Sequence, residues 1–335
     1  DRTGAFWYYI GLSGAAFALP LALLPHLRPG WQLITVLTAT SLFQTALFPA
    51  AESYLTICYP DTKGHILGRL FAFESYGWAC GALTAAGASL LVQDMADIYA
   101  PLFYTAAGLG CAALAAALLF GLLSRKPVSS RPAKSVGGDS YLADLLRDIK
   151  MVYNDRRIRR VCLVFFLLDG AMAAFFHLFS IYFTKHLGGQ WFLTCLCMGA
   201  AGLIGALTFP WFGRWSDRFG RKPLVFYAIA GNFIMFTGFL LSRNTIFLAI
   251  LYTLPVYSAI RVAARGYLAD LTREETRGGG MGLIGGIQSL ASGITPLLAG
   301  FLAARFGLGI QPWTAMGLLI LSAISAVFLL EEYSS

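Results

Sequence analysis

Charge is what this chain has least of. Only 13% of its 335 residues are Asp, Glu, Lys or Arg, while 57% are hydrophobic and the mean hydropathy is +0.66. A soluble domain carries roughly 25% charged residues, so a soluble globular protein is excluded and an integral membrane protein is implied. Histidine is scarce as well: there are four, scattered, with no companions at metal-ligand spacing. The six cysteines (Cys58, Cys80, Cys111, Cys162, Cys195 and Cys197) all lie in or at the ends of apolar runs. They form neither a metal site nor a disulfide framework, and Cys195-x-Cys197 reads as helix packing. No metal and no cofactor is expected. A GxxxxGK[ST] loop is absent, which argues against a nucleotide-driven pump.

What is there is apolar length. Ten spans of about 20 residues, each long enough to cross roughly 30 Å of hydrocarbon, run over 5–24, 31–56, 67–92, 99–123, 161–184, 190–212, 223–242, 245–268, 279–304 and 311–330. Most links between them are short. The exception, 124–160, is polar and basic and divides four spans from six. Within it Tyr141, Leu142, Leu145, Leu146, Ile149 and Val152 fall at helical spacing beside Arg147 and Lys150. That pattern predicts a short amphipathic helix on the membrane surface.

The charges are sorted by side. With the long linker taken as cytoplasmic, 4 of the 25 Lys and Arg (Arg28, Lys185, Arg243 and Arg305) fall outside and the other 21 at cytoplasmic links or helix ends. This positive-inside bias sets both termini in the cytoplasm and points to the plasma (inner) membrane. It also accounts for the net charge of +8 without nucleic acid.

One stretch concentrates that charge between two apolar spans: Gly213-Arg-Trp-Ser-Asp217-Arg218-Phe-Gly220-Arg221-Lys222-Pro223. A linker this short reads as a tight turn at the membrane face, with Gly213 and Gly220 giving backbone freedom. Basic residues alone would anchor such a turn, but Asp217 and the two glycines ask for more. The stretch resembles the signature of the major facilitator superfamily, G-x-x-x-D-R-x-G-R-K/R, between the second and third helices of each six-helix half. The resemblance implies an all-α membrane protein of two helical bundles. It also implies that Asp217 lies near the N-terminus of a helix of the other half, where the helix dipole favours a carboxylate, and helps hold the cytoplasmic side closed.

The two halves repeat. Asp1-Arg-Thr-Gly4 matches Asp217-Arg-Phe-Gly220 at an offset of 216, Lys63-Gly64 before Gly68 matches Arg277-Gly278 before Gly282 at 214, and Pro49 matches Pro255 at 206. Three landmarks in one order indicate duplication, and parallel halves are what the superfamily's architecture implies. The second half has two spans before its signature. By the same offset the first half would begin about 60 residues before Asp1. The expectation is therefore ten of twelve transmembrane helices. Residues 1–123 form an N-terminal bundle (helices 3 to 6 of twelve, truncated), 124–160 the linker, and 161–335 the C-terminal bundle (helices 7 to 12).

An ionisable group at membrane depth is costly and so a functional candidate. Asp169 lies nine residues after Arg160, about 13 Å into its helix. Without solvent it suits a proton carrier; it also suits a structural carboxyl bonded to a neighbouring helix. Glu74, about two turns into its span, is the second proton-coupling candidate. His177 is either part of a polar wall or a satisfied packing residue. By the resemblance, Glu52 and Arg261 could meet across a central cavity as a cytoplasmic gate; the alternative is that each reaches to the interface, which is the reading for Arg265. The same resemblance puts Gln44, Phe48, Phe176, His177, Tyr252, Tyr257 and Ser258 on cavity-lining helices, a mixture of aromatic and polar groups that suits an amphipathic organic substrate. The glycines at 199, 202 and 205, and those at 279–293, read as helix packing.

Several subgroup marks are missing. The span around Leu37-Thr-Ala-Thr-Ser-Leu has no arginine, Gly77-Trp-Ala-Cys-Gly81 has no proline, and the sugar-porter motifs PESPR and PETKG are absent. The function implied is proton-coupled symport or antiport of a small organic solute by alternating access, by a monomer in the lipid bilayer. A transport-inactive sensor or remnant, and a lipid-modifying intramembrane enzyme on the same scaffold, stay open as alternatives.

Overall fold

The computed structural model describes residues 59–91, 96–123, 153–272 and 276–330, together with 20–27, 30–32, 35, 36, 52, 55 and 150. Most of the first two expected spans, Gln44, Phe48 and the amphipathic stretch of the linker lie outside them. Every regular element among the described residues is helical. Those of eight residues or more are, in chain order, α1 (Lys63–Leu91), α2 (Ala96–Leu123), α3 (Arg156–Phe176), α4 (Trp191–Phe219), α5 (Lys222–Leu241), α6 (Thr245–Tyr252), α7 (Val256–Leu271), α8 (Arg277–Phe306) and α9 (Gln311–Leu329). Among the described residues six stretches are long and apolar enough to cross a membrane: Arg156–His186, Trp191–Phe219, Lys222–Leu241, Thr245–Leu271, Gly279–Phe306 and Leu308–Leu329.

Local chemistry sets the ends. Asp155 caps α3, its carboxylate accepting from the Arg157 N–H at 2.8 Å. Asn244 caps α6, accepting from the N–H groups of Ile246 and Phe247. Each such bond satisfies a donor that the first turn leaves without a partner. The expected single span 245–268 is broken between α6 and α7, where Pro255 cannot donate to the helix ladder. The signature stretch is not a turn throughout: α4 continues helically through Phe219, and only Gly220, with φ of 86°, and Arg221 separate it from α5.

The chain divides into two compact units, Asp1–Tyr54 with Leu91–Arg147, and Leu55–Leu90 with Asp148–Ser335. This division differs from a cut at 123, because it joins α1 to the six downstream spans. In the first unit the Tyr104 hydroxyl and His26 Nε2 are 2.7 Å apart.

In the second unit α3 packs on α8 and α9, α5 on α7 and α9, and α7 on α3, α4, α5 and α8. Phe175 is fully buried among Phe179, Tyr182, Phe236 and Phe239, the nearest ring centroid being 4.8 Å away. Large apolar side chains are instead exposed along the outside of α8 and α9, including Leu297, Phe301, Ile324 and Phe328, as lipid contact requires.

α1 lies antiparallel to α4, and glycine makes the fit. A Cβ on Gly68 would collide with the Phe209 carbonyl, and one on Gly213 with the Gly64 carbonyl. Farther along, Gly205 faces Ser75, Gly202 faces Ala79 and Gly199 faces Leu83. Small residues thus let two backbones touch over five turns, where helix packing in lipid depends on such contact. On α8, Gly170 of α3 meets Thr295, but Gly282, Gly286 and Gly293 face no described atom within 4 Å.

Candidate functional site

Two groups of charged side chains sit in the second unit. The first is built on the signature. The α1 N-terminus is preceded by Pro60, Asp61 and Thr62 in a 3₁₀ turn. Asp217 supplies the cap from α4. The N–H groups of Gly64 and His65 donate to its two carboxylate oxygens at 3.0 and 2.8 Å. The carboxylate therefore meets both the orphan donors and the positive end of the α1 dipole. Arg221 holds it there, donating to Asp217 at 2.8 Å, to Ser216 Oγ at 2.7 Å and, through Nε, to Asp270 at 3.0 Å. Lys63 reaches the same Asp270 at 3.3 Å. Gly266 gives Arg221 its place, since a Cβ there would lie 2.8 Å from Nε. Burial pulls the Arg221 guanidinium down, but Asp270 and Asp217 outweigh it and leave the group above its ordinary value. The network ties α1, α4, α5 and α7 together at one end. Of the other signature residues, Arg218 is exposed with its guanidinium 5.2 Å from the Phe219 ring centroid, and Lys222 opens α5.

The second group lies deeper. Arg261 of α7 pairs with Glu74 of α1 at 2.5 Å, with side chains 10% and 35% exposed. The guanidinium also covers the Phe71 ring, 4.3 Å from its centroid, a cation–π contact. Asp169 of α3 is buried and accepts from Gln288 Nε2 of α8 at 2.8 Å. Arg261 and Arg265 are within electrostatic reach of Asp169, and Tyr257 is within reach of all four charges. Arg265 does not extend to the interface as expected. It is 5% exposed, because its position on α7 faces the packed interior of the unit. Glu52, the partner expected for Arg261, belongs to the other unit.

The expected cavity wall separates by burial. Tyr252 is buried and stacks on Phe179 at 4.1 Å, with Phe176 against it at 4.9 Å, so both serve the aromatic core. Ser258 is buried against α4, accepting from the Thr208 hydroxyl at 3.4 Å. Tyr257 and His177 stay exposed. His177 Nδ1 sits 3.1 Å from the Ala173 carbonyl of its own helix. Gln44 and Phe48 lie outside the described residues. Sequence reasoning missed Lys63, Ser216, Asp270 and Gln288. Gln288 carried a signal, as a lone amide within an apolar, glycine-rich run; Asp270 carried none, since its partners are 49 and 207 residues away.

The family model of the Major Facilitator Superfamily matches residues 1–262. The chain belongs to this superfamily. Its fold agrees: the Major Facilitator Superfamily transporter FucP in the outward conformation superposes with a TM-score of 0.66 at 13% identity, covering 98% of this chain and 82% of that one. A double-Trp mutant of XylE superposes with 0.62 at 16% identity, covering 99% and 80%. Among curated proteins, the chain is 36% identical over 137 residues to an ectoine/proline transporter of Corynebacterium glutamicum, covering 38% of this chain and 26% of that protein. It is 30% identical over 140 residues to a multidrug resistance protein of Bacillus subtilis, covering 40% and 34%. An uncharacterized transporter of Buchnera aphidicola is 31% identical over 174 residues, 51% of this chain and 44% of that protein. The matched stretches thus span less than half the length of these curated relatives. Family and fold together make this an integral, multi-pass membrane protein.

Proposed function

We propose that this protein is a secondary transporter that moves a small organic solute across the membrane by alternating access, coupled to protons, and that it is not an enzyme. The observation that carries the reading is the deep charged group: Asp169 bonded to Gln288, beside the Glu74–Arg261 pair. Charges at that depth are costly to bury and to break apart, and are kept where they line a solute or proton path. Asp169 is the proton carrier in this reading, and Glu74 the second carboxylate. Opening the Glu74–Arg261 pair would accompany solute passage. The Asp217 cap and its Arg221–Asp270 support would hold α1 against α4 in one state and release it in the other. The relatives named for ectoine and proline and for multidrug resistance support a small organic solute. The positive-inside bias supports a plasma-membrane protein with cytoplasmic termini, acting as a monomer.

The test is Asp169→Asn in vesicles with an imposed proton gradient. The variant should keep expression and solute exchange but lose accumulation against a gradient. Accumulation at the native level would sink the proton role of Asp169. Absence of substrate-dependent proton flux with a broad panel of amino acids, osmolytes and amphipathic cations would favour the sensor or remnant reading.

A further inference from the structure

On the side of α1 turned away from Glu74, a groove of about 250 Å³ runs between α1 and α4, lined by Arg69, Ala72, Phe73, Tyr76, Ala206, Leu207 and Pro210. Ala72 and Ala206 make the floor low, and exposed Phe73 and Leu207 form its walls. Its lining is therefore mostly apolar, and the close α1–α4 contact sets it against Trp191–Phe219, a stretch long and apolar enough to cross a membrane. Arg69 is exposed, six residues after the start of α1, about 9 Å along the helix. Arg214 is exposed on α4, one turn beyond Pro210 and on the same face. Neither arginine has an ion-pair partner among the described residues. Both flexible side chains can bring their guanidinium groups to the headgroup level of that leaflet while their stems stay against apolar surface.

We infer that this groove holds an anionic phospholipid of the leaflet on the signature side, its phosphate between Arg69 and Arg214 and an acyl chain along Phe73, Tyr76 and Leu207. The charge pattern selects this occupant. A solute without an apolar tail would leave the groove unfilled, an uncharged lipid would leave the two arginines without compensation, and a zwitterionic lipid would bring a cation of its own to them. The lipid would bridge the two helices whose contact the Asp217 cap secures. The inference rests on the membrane fold and the groove, and not on the proton-coupled transport reading.

The experiment is native mass spectrometry of the full chain with phosphatidylglycerol or phosphatidylcholine of the same acyl chains. Phosphatidylglycerol should bind preferentially. Removing both arginines (Arg69→Gln with Arg214→Gln) should weaken it about 25-fold, at about fivefold per basic residue near a membrane surface. Arg156→Gln removes an exposed arginine at the same membrane face, outside the groove, and should leave binding unchanged. Ala206→Phe, which fills the groove and keeps both arginines, should also displace the lipid. Equal binding of the two lipids, full phosphatidylglycerol binding by the double variant, or an equal loss in Arg156→Gln would overturn the assignment.

Discussion

Replacing Asp217 by Asn changes one atom's chemistry and leaves the side chain's shape. In the native protein both carboxylate oxygens accept backbone bonds at the start of α1, and one also accepts from Arg221. Asparagine keeps one acceptor, so one N–H of the first turn loses its partner, at a cost of about 1 kcal/mol as for a lost helix cap. The charge facing the α1 dipole is lost too, worth about 0.3–1 kcal/mol. Asp217 and Arg221 are 20% and 11% exposed, so solvent screens their pairing only in part, and Arg221 keeps Asp270. The sum is about 2 kcal/mol, or roughly 30-fold in the opening equilibrium of the α1 N-terminus. Hydrogen exchange read by mass spectrometry on peptides covering Gly64 and His65 measures that opening directly. Exchange there should accelerate by roughly that factor, while peptides from the α3–α9 core keep their protection. Unchanged exchange at Gly64 and His65 would refute the cap as the contact that holds α1.

Other substitutions read other parts of the structure. Gly68→Leu sets a side chain against the Phe209 backbone, where neither helix can yield by a rotamer change; a lowered thermal midpoint in detergent is expected, of the size of an overpacked core, about 1–3 kcal/mol. Asn244→Ala removes both side-chain bonds at the start of α6 and should cost about 1 kcal/mol in denaturation without changing solute binding. Glu74→Gln or Arg261→Gln alone leaves one member of the pair without its partner and should abolish solute flux. The exchange Glu74→Arg with Arg261→Glu should restore part of it, and no restoration would show that the pair does more than attract.

How far the sequence reached depends on whether the information was local. Membrane class, span positions and the charge asymmetry follow from composition and run length, which act residue by residue, and the described helices fall where those runs predicted. The signature stretch identified the superfamily by resemblance and picked out Asp217, Gly213 and Arg221. It did not say what the glycines do. Its spacing suggests turn freedom at Gly213, whereas that residue lies within α4 and is small because the Gly64 backbone passes beside it; of the two glycines only Gly220 makes the turn. That α1 joins the downstream spans, that Glu74 pairs with Arg261 across 187 positions, that Gln288 meets Asp169, and that Asp270 supports the cap are decisions of tertiary structure. The sequence by itself determined which segments leave water, because transfer free energy is a property of each segment. Only the fold decided which buried charges became partners, because in lipid a charge is satisfied by whichever helix packing brings within a few ångströms, and no periodicity along the chain encodes that neighbour.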